Sequence, residues 1–279
     1  MYIKYKNKNI HFNDTGKGDV IVLLHGFLEN SNIWDLFVKK LSTKYRLVTI
    51  DLPGHGKTDD FEITHTMDFM AECVKQVLDN LNINKCVMIG HSMGGYVSLS
   101  FADKYKEYLK GIGLFHSHAS GDNEQTTLNR ERTIAIVKLN HQGYINNFIP
   151  DLFTDENKEK YKSKINEHKK AASLMTKESI ISALEGMKQR TSKLDILINI
   201  DVPVLFIIGK KDTRFPFNKS IAETMLPKHS EVSIFDDVAH MGFIEAQDET
   251  IKSIECFAYK AFEENYFEKS IYYKSAKRL

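Results

Sequence analysis

Five short runs rich in Val, Ile and Leu, with little polar alternation, narrow the fold of this chain more than any other feature. They are Asp19–Leu24, Tyr45–Ile50, Cys86–Ile89, Gly111–Phe115 and Val204–Ile208. A strand without alternation is buried on both faces, which is the mark of a parallel sheet covered by helices. The intervening segments carry the helical period. Met67, Met70, Val74, Val77, Leu78 and Leu81 share one face, and Val97, Phe101, Ala102 and Tyr105 share another. Strands alternating with helices imply right-handed crossovers and an α/β class, a mostly parallel central sheet flanked by helices.

The ends fit the same plan. Tyr2–Tyr5 and Asn9–Asn13 read as an antiparallel hairpin at the sheet edge, and residues 231–236 as a last strand. Ile251, Ile254, Phe257, Ala258 and Ala261 form one face of a closing helix, and the basic tail after Tyr266 reads as its frayed end. Residues 120–197 break the alternation. They hold no convincing strand, but Ile145, Phe148, Ile149 and Leu152, then Ile180, Leu184 and Met187, recur at helical spacing. A structureless loop of about 75 residues is implausible inside a compact domain. The spacing predicts a helical cap at 120–197, inserted into a core made of 1–119 and 198–279.

Charge and composition exclude several classes. Lys and Arg number 38 against 37 Asp and Glu, so nothing in the net charge of +1 suits a nucleic-acid partner. No apolar run approaches the roughly 18 residues of a membrane span. The opening MYIKYKNKNIHF lacks the apolar core of a signal peptide. Three cysteines at wide spacing, Cys73, Cys86 and Cys256, form no disulfide framework and no CxxC pair. They are expected to be buried thiols in a reducing cytoplasm.

The chemistry gathers at strand ends. Gly90-His91-Ser92-Met93-Gly94 fits G-x-S-x-G between an apolar strand and a helical pattern, the setting of a nucleophile elbow. Glycines flank the serine because the turn leaves no room beside it, and Gly95 lets the helix approach the sheet. A serine hydroxyl needs a base to take its proton, and His240, just after the last strand, is placed to serve. The base needs an orienting carboxylate. Asp212 follows the Val204–Ile208 strand, while Asp122, Asp236 and Asp237 are the competing acids. A tetrahedral oxyanion calls for two backbone N–H donors. Met93, after the nucleophile, and Phe27, in the His25-Gly26-Phe27 loop, are the candidates. The Gly56-Lys57-Thr58 triplet fails the spacing of a phosphate-binding loop, and Asp51 and His55 read as structural. No metal-ligand cluster is visible, and no cofactor is required.

Together HGF at 25–27, DLPGHGKT at 51–58, GHSMGG at 90–95, GKKD at 209–212 and AHMGFIE at 239–245 resemble the α/β-hydrolase superfamily in content and order. The resemblance implies Ser92 as nucleophile, Asp212 and His240 as its partners, and Phe27 and Met93 as oxyanion donors. A serine at the elbow argues against the haloalkane dehalogenase and epoxide hydrolase branches, which place Asp there. The implied activity is hydrolysis of small or medium carboxylic esters through an acyl-enzyme, without metal or organic cofactor, nucleic acid or membrane. Other chemistries fit the same residues. The HGFLEN…W opening and the DLPGHG loop are similar to the menaquinone-pathway SHCHC synthases, and also to enol-lactonases and C–C bond hydrolases. The elbow GHSMGGYVSL, with no Arg nearby, departs from the lyase pattern. A non-enzymatic binding module of the same fold is the remaining alternative. Phe27, the His116–His118 segment and some apolar cap residues are expected at the pocket mouth.

Overall fold

The computed structural model describes residues 1–263 of the chain. Eight strands form one sheet: β1 (Tyr2–Tyr5), β2 (Lys8–Thr15), β3 (Val20–Leu24), β4 (Arg46–Ile50), β5 (Cys86–His91), β6 (Leu109–Phe115), β7 (Val204–Gly209) and β8 (Ser230–Phe235). Their order in space is β1-β2-β4-β3-β5-β6-β7-β8. The first two strands run antiparallel to their neighbours, and every pairing from β4 to β8 is parallel. Each sequence-predicted strand is present, with ends shifted by no more than two residues. The extensions arise where residues beyond the apolar run still pair in the ladder, as Leu109 does with Cys86 at the start of β6.

Crossover helices cover both faces. They are α1 (Asp35–Leu41), α2 (Met67–Asn80) and α3 (Met93–Tyr105) in the first half of the chain. The connection from β6 to β7 carries α4 (Glu124–Phe148), α5 (Asp155–Lys160), α6 (Lys162–Ala172), α7 (Lys177–Lys188) and α8 (Leu194–Asn199). The chain then adds α9 (Phe217–Glu223), α10 (Gly242–Glu245) and α11 (Gln247–Phe262). The inner strands bury every residue of β3, β5 and β7, as uninterrupted apolar runs require. The edge strand β8 alternates, with Val232 and Ile234 exposed.

Residues 120–197 are helical, as their spacing suggests. Ile145, Ile149, Leu152, Ile180, Leu184 and Met187 are all buried. Sequence periodicity does not reveal that α4 is kinked at Asn140, whose side chain accepts the Gly143 N–H at 2.8 Å. One sequence expectation fails: Cys73 and Cys86 are buried, but Cys256 is exposed, on the solvent side of α11. Burial pushes the Cys86 thiol up to about 12. Among the described residues no helix is long and apolar enough to cross a membrane. The tail after Tyr266 lies outside the described residues.

Candidate active site

β5 ends in a turn that only a strained backbone can make. Ser92 adopts φ +51° and ψ −115°, a region that costs a non-glycine residue about 1–3 kcal/mol. The surroundings hold it there. Ser92 N–H donates to the Phe115 carbonyl at 2.9 Å, and its own carbonyl accepts from Gly95 N–H and from the Ser117 hydroxyl. The flanking glycines are steric necessities. A Cβ on Gly90 would lie 2.2 Å from the Gly94 carbonyl oxygen, and one on Gly94 would lie 2.5 Å from that of Leu24. The result places the Ser92 hydroxyl at the N-terminus of α3, where the helix dipole favours negative charge.

The loop after β8 brings His240 to this hydroxyl, with Nε2 3.0 Å from Ser92 Oγ. Its Nδ1 is 2.8 Å from Asp212 Oδ2, in the loop after β7. An ionised carboxylate only accepts, so Nδ1 carries the proton and Nε2 offers a lone pair to the serine. Burial opposes the Asp212 charge, but His240, His116 and the N–H groups of Arg214 and Phe215 outweigh it. The carboxyl is held well below its ordinary range. Ser92, Asp212 and His240, separated by up to 148 positions, are thus brought together at one sheet edge.

The competing acids are elsewhere. Asp122 is buried between the guanidinium groups of Arg130 and Arg190. Asp236 pairs with Lys210 on the surface, and Asp237 offers its carbonyl to Asn157. Phe27 follows β3, and Met93 is the first residue of α3. Among the described residues neither of their backbone N–H groups has a hydrogen-bond partner. Asp51 accepts from His11, Ser31 and Lys57, and His55 is buried at about 3 because burial disfavours its charge.

Ser92 and His240 open into a cavity of about 780 Å³, which Phe27 and His118 also line. Phe148 of α4 closes one side, edge-on to Phe27 and stacked by the Arg214 guanidinium at 4.6 Å. Four cations, Arg130, Arg190, Arg214 and Lys219, face the cavity against two carboxylates, Asp122 and Glu223. The sequence expectation for His116 is corrected. It does not line the cavity but lies behind it, with Nδ1 3.4 Å from Asp212 Oδ2. Burial brings His116 down to about 4. Its backbone is left-handed, with φ +44°. Ile145, Ile149 and Leu152 are buried in the helical packing and do not line the cavity; Phe148 alone of that face does.

Glu29, His91 and the Asp122–Arg130–Arg190 cluster are features that motif reading does not single out. Glu29 lies within the HGFLEN segment, and an acid two residues beyond a loop that offers N–H groups is the one signal for it. Among the described residues no group of three His, Cys, Asp or Glu side chains converges to hold a metal ion.

A strained serine between a parallel strand and a helix, with a histidine and an aspartate from later strand ends, defines a hydrolase class. The α/β-hydrolase fold family matches residues 19–155. A thermophilic esterase from Thermogutta terrifontis superposes with a TM-score of 0.87 at 26% identity, covering 91% of this chain and 94% of its own. The enol-lactonase from Burkholderia xenovorans LB400 shares the fold, with a TM-score of 0.85 at 19% identity over 92% of this chain and 99% of its own. The chain belongs to the α/β-hydrolase superfamily. In sequence it is 27% identical over 255 residues to the 2-hydroxy-6-oxononadienedioate/2-hydroxy-6-oxononatrienedioate hydrolase of Paraburkholderia phymatum, covering 83% of this chain and 84% of that protein.

Proposed function

We propose that this enzyme is a serine hydrolase that cleaves an acyl bond in a carboxylate-bearing substrate, and that its favoured reaction is C–C bond cleavage beside a ketone. The observation that carries the reading is the Ser92–His240–Asp212 relay, at 3.0 and 2.8 Å, opening into a cavity with two more cations than carboxylates. The C–C preference is supported by the curated relative, whose name describes an oxo-dienedioate substrate. It replaces small-ester hydrolysis as the leading reading. The helices between β6 and β7 act as a cap, with Phe148 and Arg214 at the mouth.

In this mechanism Ser92 Oγ attacks the ketone carbonyl as its proton passes to His240 Nε2. The Phe27 and Met93 N–H groups hold the oxyanion. Collapse breaks the C–C bond. The electron pair leaves on a carbon whose conjugation spreads the charge, and His240 returns its proton to that fragment. A water, deprotonated by His240, then releases the acyl group as a carboxylic acid. Arg214 and Lys219 hold a substrate carboxylate at the cavity mouth. Ester hydrolysis is the second reading, favoured by the Thermogutta esterase at 26% identity, and differs only in an alkoxide leaving group. The reaction needs no partner beyond the small molecule, and a cytoplasmic setting suits the free thiols.

The test is a panel comprising a 2-hydroxy-6-oxo-dienedioate, a lactone and aryl esters from acetyl to octanoyl. The dienedioate should be preferred by at least about tenfold in kcat/KM, the size of one or two pocket contacts. Ser92→Ala should lose about 10³-fold or more and escape fluorophosphonate labelling. Turnover of esters alone would transfer the assignment to the second reading. Absence of both turnover and Ser92 labelling would refute a serine hydrolase.

A further inference from the structure

His91 sits beside the nucleophile, fully buried, with both ring nitrogens engaged. Nε2 is 2.9 Å from the carbonyl oxygen of His240, and Nδ1 is 2.9 Å from Glu29 Oε2. A carbonyl and an ionised carboxylate both only accept, so His91 must donate from both nitrogens and is an imidazolium. Glu29, equally buried, is held at about 2: burial works against its charge, but His91, the nearby His168 and the Gly26 N–H overcome that penalty. Burial likewise opposes the His91 proton, and Glu29 reverses the balance, so its affinity is raised.

The same Glu29 oxygen accepts the Gly26 N–H at 2.5 Å. That bond closes a turn in which Leu28 is left-handed, with φ +60°. Gly26 is required for the closure, since a Cβ there would lie 2.8 Å from Glu29 Oε2 and 3.0 Å from His91 Nδ1. The ion pair therefore ties together the loop carrying Phe27, the residue before Ser92 and the backbone of His240. Its surroundings are His25 on the β3 loop, His168 on α6, His116 and Asp212 at the ends of β6 and β7, and the rings of Phe115 and Phe243. His25 is the opposite case: Nε2 accepts the Leu52 N–H and Nδ1 donates to the Gly26 carbonyl, so it is neutral.

We propose that Glu29 and His91 are positioning residues whose buried ion pair locks the Phe27 loop, the Ser92 turn and the His240 backbone into one rigid unit, fixing the oxyanion donors relative to the nucleophile. The role rests on the serine-hydrolase reading above. Glu29→Gln is the sharp test, because whichever way the amide turns, one of the three hydrogen bonds is lost. An amide oxygen serving Gly26 leaves His91 without its counter-charge. An amide NH₂ serving a neutral His91 faces the Gly26 N–H donor to donor.

Two measurements decide it. In ¹⁵N-histidine spectra of the wild-type protein, both His91 nitrogens should stay protonated from pH 5 to 8, and one should lose its proton at pH 8 in Glu29→Gln. In turnover per fluorophosphonate-titrated Ser92, Glu29→Gln should lower kcat about tenfold and Glu29→Ala about 10²-fold, the low end for loss of one oxyanion donor. KM should stay within about threefold, since the lock acts on the transition state. A merely structural role would lower the titratable fraction and leave kcat per site unchanged. A neutral wild-type His91 at pH 7, or wild-type kcat per site in Glu29→Gln, would overturn the proposal. A wild-type protein with neither turnover nor Ser92 labelling would defeat the serine-hydrolase reading and the positioning role with it, while the His91 spectrum would still report the ion pair.

Discussion

In the proposed mechanism Ser92 and Asp212 do different work, and single substitutions separate them. Asp212 accepts the His240 Nδ1 proton at 2.8 Å and is oriented by the Arg214 N–H, also at 2.8 Å. An amide in its place can present its NH₂ to the ring and select the wrong tautomer. Asp212→Asn is expected to keep the fold, checked by circular dichroism, and to lose about 10⁴-fold in kcat. Asp122→Asn should behave oppositely. It strips the counter-charge from Arg130 and Arg190, so its main effect should be a lowered melting temperature. A dead Asp122→Asn beside an active Asp212→Asn would move the acid to the β6 end. Ser92 is legible in the sequence because its motif and its strand–helix context are local. Glu29 and His91 are not, since they meet across 62 positions and neither belongs to a periodic face. His116 is misread for a related reason. Its segment does reach the cavity, but the left-handed turn sends this one ring back toward Asp212.

At the level of elements, the inner strands are legible because burial on both faces writes itself as an unbroken apolar run. The inserted helices are legible as helices for the matching reason of period. Which of their residues face the cavity is not, because several apolar faces are satisfied by one another before any reaches the site. Phe148 and Met187 of the periodic faces do line it, and Phe148 sits where the end of α4 meets the β3 loop at Phe27 and the β7 loop at Arg214. Phe148→Ala should remove the wall between them and free the Arg214 guanidinium. The expected result is a shift of several-fold or more toward longer acyl groups in kcat/KM, with Ser92 labelling unchanged, given about 1–3 kcal/mol per pocket methylene. An unaltered chain-length profile would show that this helix end does not set specificity.

For the whole molecule, buried titratable groups make stability depend on acidity in a definite direction. Burial holds His55 and His118 at about 3 and His116 at about 4, against 6.5 for the ordinary side chain. Below pH 6.5 the unfolded chain binds protons that the folded one refuses, so stability falls as pH falls, by up to about 1.4 kcal/mol per pH unit for each histidine. Glu29 adds a second window of the same sign. Its contribution is complete above 4.5 and is lost as pH drops toward 2. His91 runs the other way, stabilising below 6.5 and losing that contribution as pH rises through its raised value. Melting temperatures across pH 4 to 8 should therefore fall steadily on the acid side, and a flat profile between 6.5 and 4.5 would contradict the burial of these side chains. The chain order of the site has a further consequence, for synthesis. His240 leaves the ribosome 148 residues after Ser92, a delay of roughly 7–30 s at about 5–20 residues per second. On the proposed mechanism the serine is throughout that interval an ordinary alcohol with no base beside it, so the nascent chain acquires its reactivity only as the last strand docks.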